Sequence, residues 1–376
     1  MERIELVIIV CFSLLYFLFF VWLSTSFKKS NYNDSNIYHS VSIIVAAKNE
    51  EKNIKKLVDS LSNQNYPKEK IEIIIANDKS EDQTKNILDL LKLKISNLKV
   101  IHVTSTPQQW SSKKWALSLA IEKSNHDIIL QTDADCIVDN NWVKNMSIEF
   151  NNPEVGFVSG HTPFIEDSNH VLDKMLAFEN LSQDAFVGAC IVRNIPLSCV
   201  GRSIGFRKKC FIKSNGYNDF KDVISGDDDL LMHRILFENK LKAKYVIEEK
   251  SFVYTYSPKN IKEFVNQRLR YASKGKYYFE AFFISNELRI ILPFLFINNL
   301  FYVKSLILLC SNPQTIYLFP IVSKFLADFI LTYSFSYYTG TKFKFYLYFI
   351  LSFIHPFYII IFALLGPFVK LNWKNK

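Results

Sequence analysis

Apolar residues are unevenly spread along this chain. They gather in the first two dozen residues and the last ninety, and between these stretches short apolar runs alternate with charged segments. Residues 4–23 read IELVIIVCFSLLYFLFFVWL, with a single charge at the second place. A helix of that length spans about 30 Å, the thickness of a bilayer's hydrocarbon core. A secretory signal would show a shorter apolar run and a small-x-small cleavage site, so the pattern predicts a membrane anchor over 1–27. Lys28 and Lys29 follow at once and predict a cytoplasmic downstream side. Toward the other end, residues 290–310 are long enough to span, although Lys304 and the pair Asn298 and Asn299 interrupt them. Residues 345–369 form a stronger span that Pro356 is expected to kink. Residues 316–335 carry Lys324 and Asp328, four apart and so on one helix face. Two readings are open there: a span with the charges paired, or a helix lying in the interface, which leaves the basic end KLNWKNK on the cytoplasmic side. The expected C-terminal membrane region, over 287–370, has two or three helices.

The middle of the chain has a different rhythm. Residues 41–47 (VSIIVAA) are a continuous apolar run of strand length, and Asn49 then offers a helix cap with Glu50 and Glu51 in the first turn. A second run, 71–76, ends at Asn77 and Asp78, and Ser80 with Gln83 has the spacing of a capping box. Residues 98–103 make a third strand, Ser111 or Ser112 starts another helix, and 128–131 make a short fourth strand before Thr132 and Asp133. This strand–helix alternation predicts a parallel, doubly wound α/β sheet with helices on both faces. Ligands bind beyond the carboxyl ends of the strands in such sheets, and Glu50, Asp78, Asp133 and Asp135 fall there. A dinucleotide site would place G-x-G-x-x-G after the first strand; the chain has AAKNEE, which weighs against a nicotinamide-dependent enzyme.

Composition changes this picture little. The 33 Phe and 19 Tyr reinforce the lipid-facing reading of the two ends. The net charge of +9 comes from scattered lysines, several beside apolar runs, which fits the positive-inside rule better than a nucleic-acid stripe. None of the six cysteines forms a C-x-x-C pair, so neither a disulfide framework nor a zinc site is expected.

Three segments carry candidate chemistry. Asp133-Ala134-Asp135 sets two carboxylates at a strand end, hard oxygen ligands of the kind Mg²⁺ or Mn²⁺ takes alongside phosphates. The cluster Ser225-Gly226-Asp227-Asp228-Asp229 brings together like charges that repel unless a cation or a function compensates, and a carboxylate there can serve as general base. Gln267, Arg270 and Tyr271 fall at i, i+3 and i+4, so one helix face carries a guanidinium and an aromatic ring suited to a diphosphate or a sugar. A basic helix lying against lipid headgroups explains that last segment equally well.

The ordered blocks VSIIVAAKNEE, ANDKSEDQT, SSKKWALSLAI, QTDADC, CVGRSIGFRKKCFIKSNGY, SGDDDLL and QRLRYASK resemble the family 2 glycosyltransferases. The likeness is to membrane-bound bacterial members related to cellulose and hyaluronan synthases, over roughly residues 40–275. It implies a GT-A fold, Rossmann-like with a mostly parallel sheet, between N-terminal and C-terminal transmembrane helices. The catalytic domain would cover 38–280, with a nucleotide-binding half at 38–135 and an acceptor-binding half at 136–280. The implied reaction is an inverting, metal-dependent transfer from a nucleotide-sugar, above all a UDP-sugar, to a hydroxyl of a glycan or lipid-linked acceptor. By the resemblance Ala47, Glu50, Asp78, Lys113 and Asp133 bind the donor, Asp135 holds Mg²⁺ or Mn²⁺, and Asp227 is the catalytic base. Asp229, Gln267, Arg270 and Tyr271 would serve the acceptor and diphosphate. Expected partners are the donor, the acceptor and membrane lipids, with no nucleic acid; the expected setting is a bacterial plasma membrane, multi-pass, with the catalytic domain cytoplasmic. Gly226 stands where the family has a Glu, Tyr271 where it has a Trp, and Ser203 where an Asn is common, all on the acceptor side. A processive polysaccharide synthase and an inactive nucleotide-sugar-binding subunit are the two alternative readings.

Overall fold

The computed structural model describes residues 2–28, 37–166 and 170–368; Lys29 and the KLNWKNK end lie outside them. Contacts divide the chain into two compact units. Among the described residues, a helical unit comprises residues 2–28, 170–195 and 257–368 with Glu166, and a sheet unit comprises residues 37–165 and 196–256. The chain therefore passes from one unit to the other more than once.

The sheet unit contains β1 (Val41–Ala47), β2 (Ile71–Asp78), β3 (Leu98–Val103), β4 (Ile128–Gln131) and β5 (Ile137–Val138). It continues with β6 (Val155–Gly160), β7 (Phe164–Ile165), β8 (Ile204–Arg207), β9 (Lys242–Val246) and β10 (Val253–Tyr256). Seven strands form one sheet in the order β3-β2-β1-β4-β8-β6-β9, and β5-β10-β7 form a small second one. β1 to β4 are mutually parallel where paired, β8 runs antiparallel to both β4 and β6, and β9 is parallel to β6. Every residue of β1, β2 and β4 is buried, as expected of parallel strands covered on both faces, and this explains why their sequences are mostly apolar. Helices Ile54–Ser62, Thr84–Lys94 and Ser112–Glu122 connect these strands, and the core between them includes Ile43, Val45, Leu57, Ile73, Leu130 and Trp142.

Two expected helix starts are corrected. The first helix begins at Ile54, not after Asn49, and Asn49 itself sits in the left-handed region at φ 54°. Asn is among the few residues that tolerate that region, so here it makes a turn rather than a cap. The next helix begins at Thr84, and Ser80 caps nothing on it; its hydroxyl accepts the Asn49 N–H at 3.0 Å instead.

The helical unit contains α1 (Glu2–Ser24), α2 (Val171–Val192), α3 (Ile261–Ala272), α4 (Gly275–Glu280), α5 (Asn286–Ser311), α6 (Leu318–Thr339) and α7 (Phe345–Leu365). Segments Ile4–Ser24, Asn286–Ser311, Thr315–Thr339 and Phe345–Phe368 are long and apolar enough to cross a membrane. Leu15, Leu18, Ile307, Phe349, Ile354 and Leu365 are exposed on them, as a hydrocarbon surround requires. α6 packs along α1. Its Lys324 and Asp328 pair at 2.7 Å, and Tyr16 of α1 donates to Asp328 at 2.6 Å while accepting from Lys324 at 3.0 Å. These charges are thus paired and hydrogen-bonded, the arrangement a spanning helix needs.

Candidate active site

The candidate residues of the sheet unit converge because of strand register. Ala47 ends β1 beside Asn77 of β2, and Gln131 ends β4 beside Ile44, so the loops leaving three parallel strands open on one rim. The first two loops are laced together. The Glu50 N–H donates to Thr84 Oγ1 at 2.7 Å, the Glu51 N–H to Asp82 Oδ2 at 3.0 Å, and the Glu81 N–H to Asn49 Oδ1 at 2.9 Å. Glu50 is buried and its Oε2 accepts from Asn53 at 2.8 Å. Asp78 is fully buried at the end of β2; the Ser112 hydroxyl donates to its Oδ2, and Lys79 pairs with its Oδ1 at 2.8 Å.

The centre of the rim is Lys113, the second residue of the helix that starts at Ser112. Its Nζ lies 2.9 Å from Asp133 Oδ1 and 2.6 Å from Asp227 Oδ2. One ammonium therefore joins the first aspartate of D-x-D to Asp227, in the loop before the helix Asp229–Asn239. Burial alone would lower the lysine, yet Asp133 and Asp227 outweigh it and hold it well above its ordinary value. For Asp227 burial opposes ionisation, and Lys113 outweighs that in turn, keeping the carboxyl below the usual range. Both partners are charged, which makes the Asp227 carboxylate able to accept a proton.

Asp133 and Asp135 occupy the turn after β4, closed by the Cys136 N–H donating to Asp133 O at 3.2 Å. Among the described residues no group of three or more His, Cys, Asp or Glu side chains forms a metal cluster. Two carboxylates at one turn still fit Mg²⁺ or Mn²⁺, since such ions commonly take one or two protein carboxylates and complete their shell with substrate phosphates and water.

The Asp227 loop explains one departure from the expected pattern. Gly226 has φ +86°, and a Cβ there would come 2.4 Å from the Leu230 side chain. Neither the backbone nor the space admits a Glu at this position. Asp228 caps the helix Asp229–Asn239, accepting from the Asp229 N–H at 2.8 Å and the Gly201 N–H at 3.1 Å. Asp229 is fully buried, with its Oδ1 accepting from the Leu230 N–H at 2.8 Å. Ser203 is buried too, its hydroxyl accepting the Trp142 indole N–H at 3.0 Å.

Sequence reasoning passed over Lys114. It is 1 % exposed, and its Nζ donates to Val223 O and, at 2.8 Å, to Ser225 O, the segment that leads into Asp227. The signal was present: Lys114, Leu117 and Ile121 share the buried stripe of this helix. Tyr217, also unremarked, donates weakly to Gln131 Oε1 and Asp227 O, both at 3.4 Å.

Gln267, Arg270 and Tyr271 belong to the helical unit, on α3. Arg270 stacks on Tyr271 with 5.3 Å from guanidinium carbon to ring centroid, and Tyr271 is exposed. The buried cation of this helix is its neighbour Arg268, paired with Glu179 at 2.8 Å.

A mostly parallel α/β sheet with an acidic rim, together with four long apolar helices, defines a GT-A type protein with candidate transmembrane helices. The chain belongs to the family 2 glycosyltransferases: the pattern described as Glycosyl transferase family group 2 matches residues 128–368, and Glycosyl transferase family 2 matches residues 42–213. It is 29 % identical over 147 residues to the "Probable glycosyltransferase YdaM" of Bacillus subtilis, covering 38 % of this chain and 34 % of that protein. It is 27 % identical over 263 residues to the "Dolichyl N-acetyl-alpha-D-glucosaminyl phosphate 3-beta-D-2,3-diacetamido-2,3-dideoxy-beta-D-glucuronosyltransferase" of Methanococcus voltae, covering 62 % and 73 %. It is 28 % identical over 253 residues to the "Poly-beta-1,6-N-acetyl-D-glucosamine synthase" of Staphylococcus aureus, covering 66 % and 57 %. The match to the Bacillus protein thus spans about a third of that relative's length. The mannosyltransferase PcManGT from Pyrobaculum calidifontis, solved with GDP-Man and Mn²⁺, shares the fold at a TM-score of 0.60 and 15 % identity, covering 98 % of this chain and 99 % of that one.

Proposed function

We propose that this protein is an inverting glycosyltransferase that moves a sugar from a nucleotide-sugar, in first place a UDP-sugar, onto a hydroxyl of a lipid-linked or envelope glycan acceptor. The observation that carries the reading is the Asp133–Lys113–Asp227 bridge, in which a candidate donor-side carboxylate and a candidate base share one cation. In this reading Ala47, Glu50, Asp78, Lys113 and Asp133 hold the donor, and Asp227 takes the acceptor proton. The acceptor oxygen forms the new bond at the anomeric carbon from the face opposite the departing diphosphate, so the configuration inverts. Mg²⁺ or Mn²⁺ on Asp135, with Asp133 beside it, would neutralise charge on the diphosphate. Asp229 supports the base loop from within the fold, and Gln267, Arg270 and Tyr271 serve the acceptor or the diphosphate. The catalytic region is 38–280, between an anchor at 1–27 and the membrane region at 287–370, facing the cytoplasm of a bacterial cell.

The relative that polymerises N-acetylglucosamine favours a processive variant of the same chemistry as the second reading; product length separates the two. The test is hydrolysis of a panel of UDP- and GDP-sugars by the detergent-solubilised full chain, with and without Mn²⁺. Metal-dependent hydrolysis of one donor supports the proposal, and failure to bind any donor overturns it.

A further inference from the structure

Asp78 ends β2 with its backbone in register with Val103 of β3, so the strand ladder fixes the side from which its side chain leaves. That side is covered by the helix Ser112–Glu122, which packs against β1 and β2. The carboxylate has no exposed surface, and both of its oxygens are engaged. Oδ1 pairs with Lys79 at 2.8 Å, and Oδ2 accepts from the Ser112 hydroxyl. Lys79 is held in turn by Thr106, to whose hydroxyl its Nζ donates. A ligand would reach Asp78 only by displacing Lys79 or Ser112, and a buried carboxylate that loses such a partner is strongly destabilised.

What Asp78 does touch is the first turn of a helix. Ser112 bonds to Asp78. The next residue, Lys113, holds Asp133 at 2.9 Å and Asp227 at 2.6 Å. The one after it, Lys114, holds Val223 O and Ser225 O. Three consecutive side chains thus join the end of β2 to the D-x-D turn and to the loop of the candidate base. A negative charge beside a helix N-terminus also suits the helix dipole, so the contact holds the helix start in place.

We propose that Asp78 is a positioning residue: it fixes the helix start through Ser112, and through Lys113 it places Asp227, without touching the base of the donor nucleotide. The proposal rests on the transferase reading and moves one of its donor residues from contact to support.

The test uses the full chain in detergent, with UDP and N3-methyl-UDP as calorimetric probes. A carboxylate that accepts the N3–H of uracil makes N3-methylation costly in the parent, and that penalty should shrink about tenfold or more in Asp78→Leu. The expected result is the same penalty in both chains, within about twofold. Ser112→Ala leaves Asp78 in place and keeps the proposal testable should Asp78→Leu fail to fold. It is expected to lower kcat for hydrolysis of the UDP-sugar that the parent accepts by about 10- to 100-fold, with KM within about twofold. A penalty that shrinks in Asp78→Leu, or an unchanged kcat in Ser112→Ala, overturns this assignment alone, because UDP is bound in either case. No binding of UDP by the parent overturns the UDP-sugar reading and this proposal with it.

Discussion

Lys113 and Lys114 are consecutive, yet one reaches two carboxylates and the other two backbone carbonyls. The first sets the charge of the candidate base, and the second shapes the loop that presents it. Asp227→Asn should therefore lower turnover by about 10²–10⁴-fold while donor binding, read by calorimetry, stays close to the parent value. Full activity in that variant would remove Asp227 from the mechanism. The pH dependence has a definite sign. Burial opposes ionisation of Asp227 and Lys113 overrides it, so this depressed carboxyl stabilises the fold above its unfolded value and loses that contribution as pH falls through the folded one. With Lys113→Met burial is left less opposed, and the acid limb of kcat/KM should move to higher pH. An unmoved limb in the pH–rate profile would mean that the bridge does not set the base. Gly226→Ala forces a side chain onto φ +86° and against Leu230, and thermal unfolding should show a loss of about 1–3 kcal/mol. Such positions are hard to read in sequence: a glycine in place of an expected acid looks like a lost function, and only its dihedral shows a turn that admits nothing larger.

At the level of elements, β1, β2 and β4 were legible because each is a mostly apolar run followed by polar residues, and both signals have one cause, burial on two faces up to the rim, whereas β3 is buried only at Leu98 and Val103. The start of the helix at Ser112 was legible as well. The other two starts were misread because Asn and Ser serve as caps and as loop ties alike, and only the partner loop decides between these uses. That lacing has a measurable consequence: Thr84→Val leaves the Glu50 N–H without its acceptor and should cost about 1–3 kcal/mol, with weakened donor binding if Glu50 shifts. Strands β5 to β10 went unread. Several are two to four residues long, too short for a period to establish itself.

For the whole molecule, hydrophobic patterning showed the apolar ends but not how α6 carries two charges. Tyr16 supplies the answer from a helix about three hundred residues away. Lys324→Met should strand Asp328 and lower the melting temperature in detergent, corresponding to about 3 kcal/mol, whereas Lys324→Met with Asp328→Leu should recover most of it. Equal losses in the single and double variants would show that the pair is not coupled. The repeated passage of the chain between units has a consequence of its own for inheritance and engineering. Residues 166–195 leave the sheet unit, contribute α2 to the helical one, and return. A piece cut out as residues 37–256 would carry a helix without its neighbours, and a graft of the sheet unit alone would need matching seams at four places rather than one. The sheet unit and the helical unit are joined by the chain at several places, so they are expected to diversify as a single heritable piece rather than by exchange of modules.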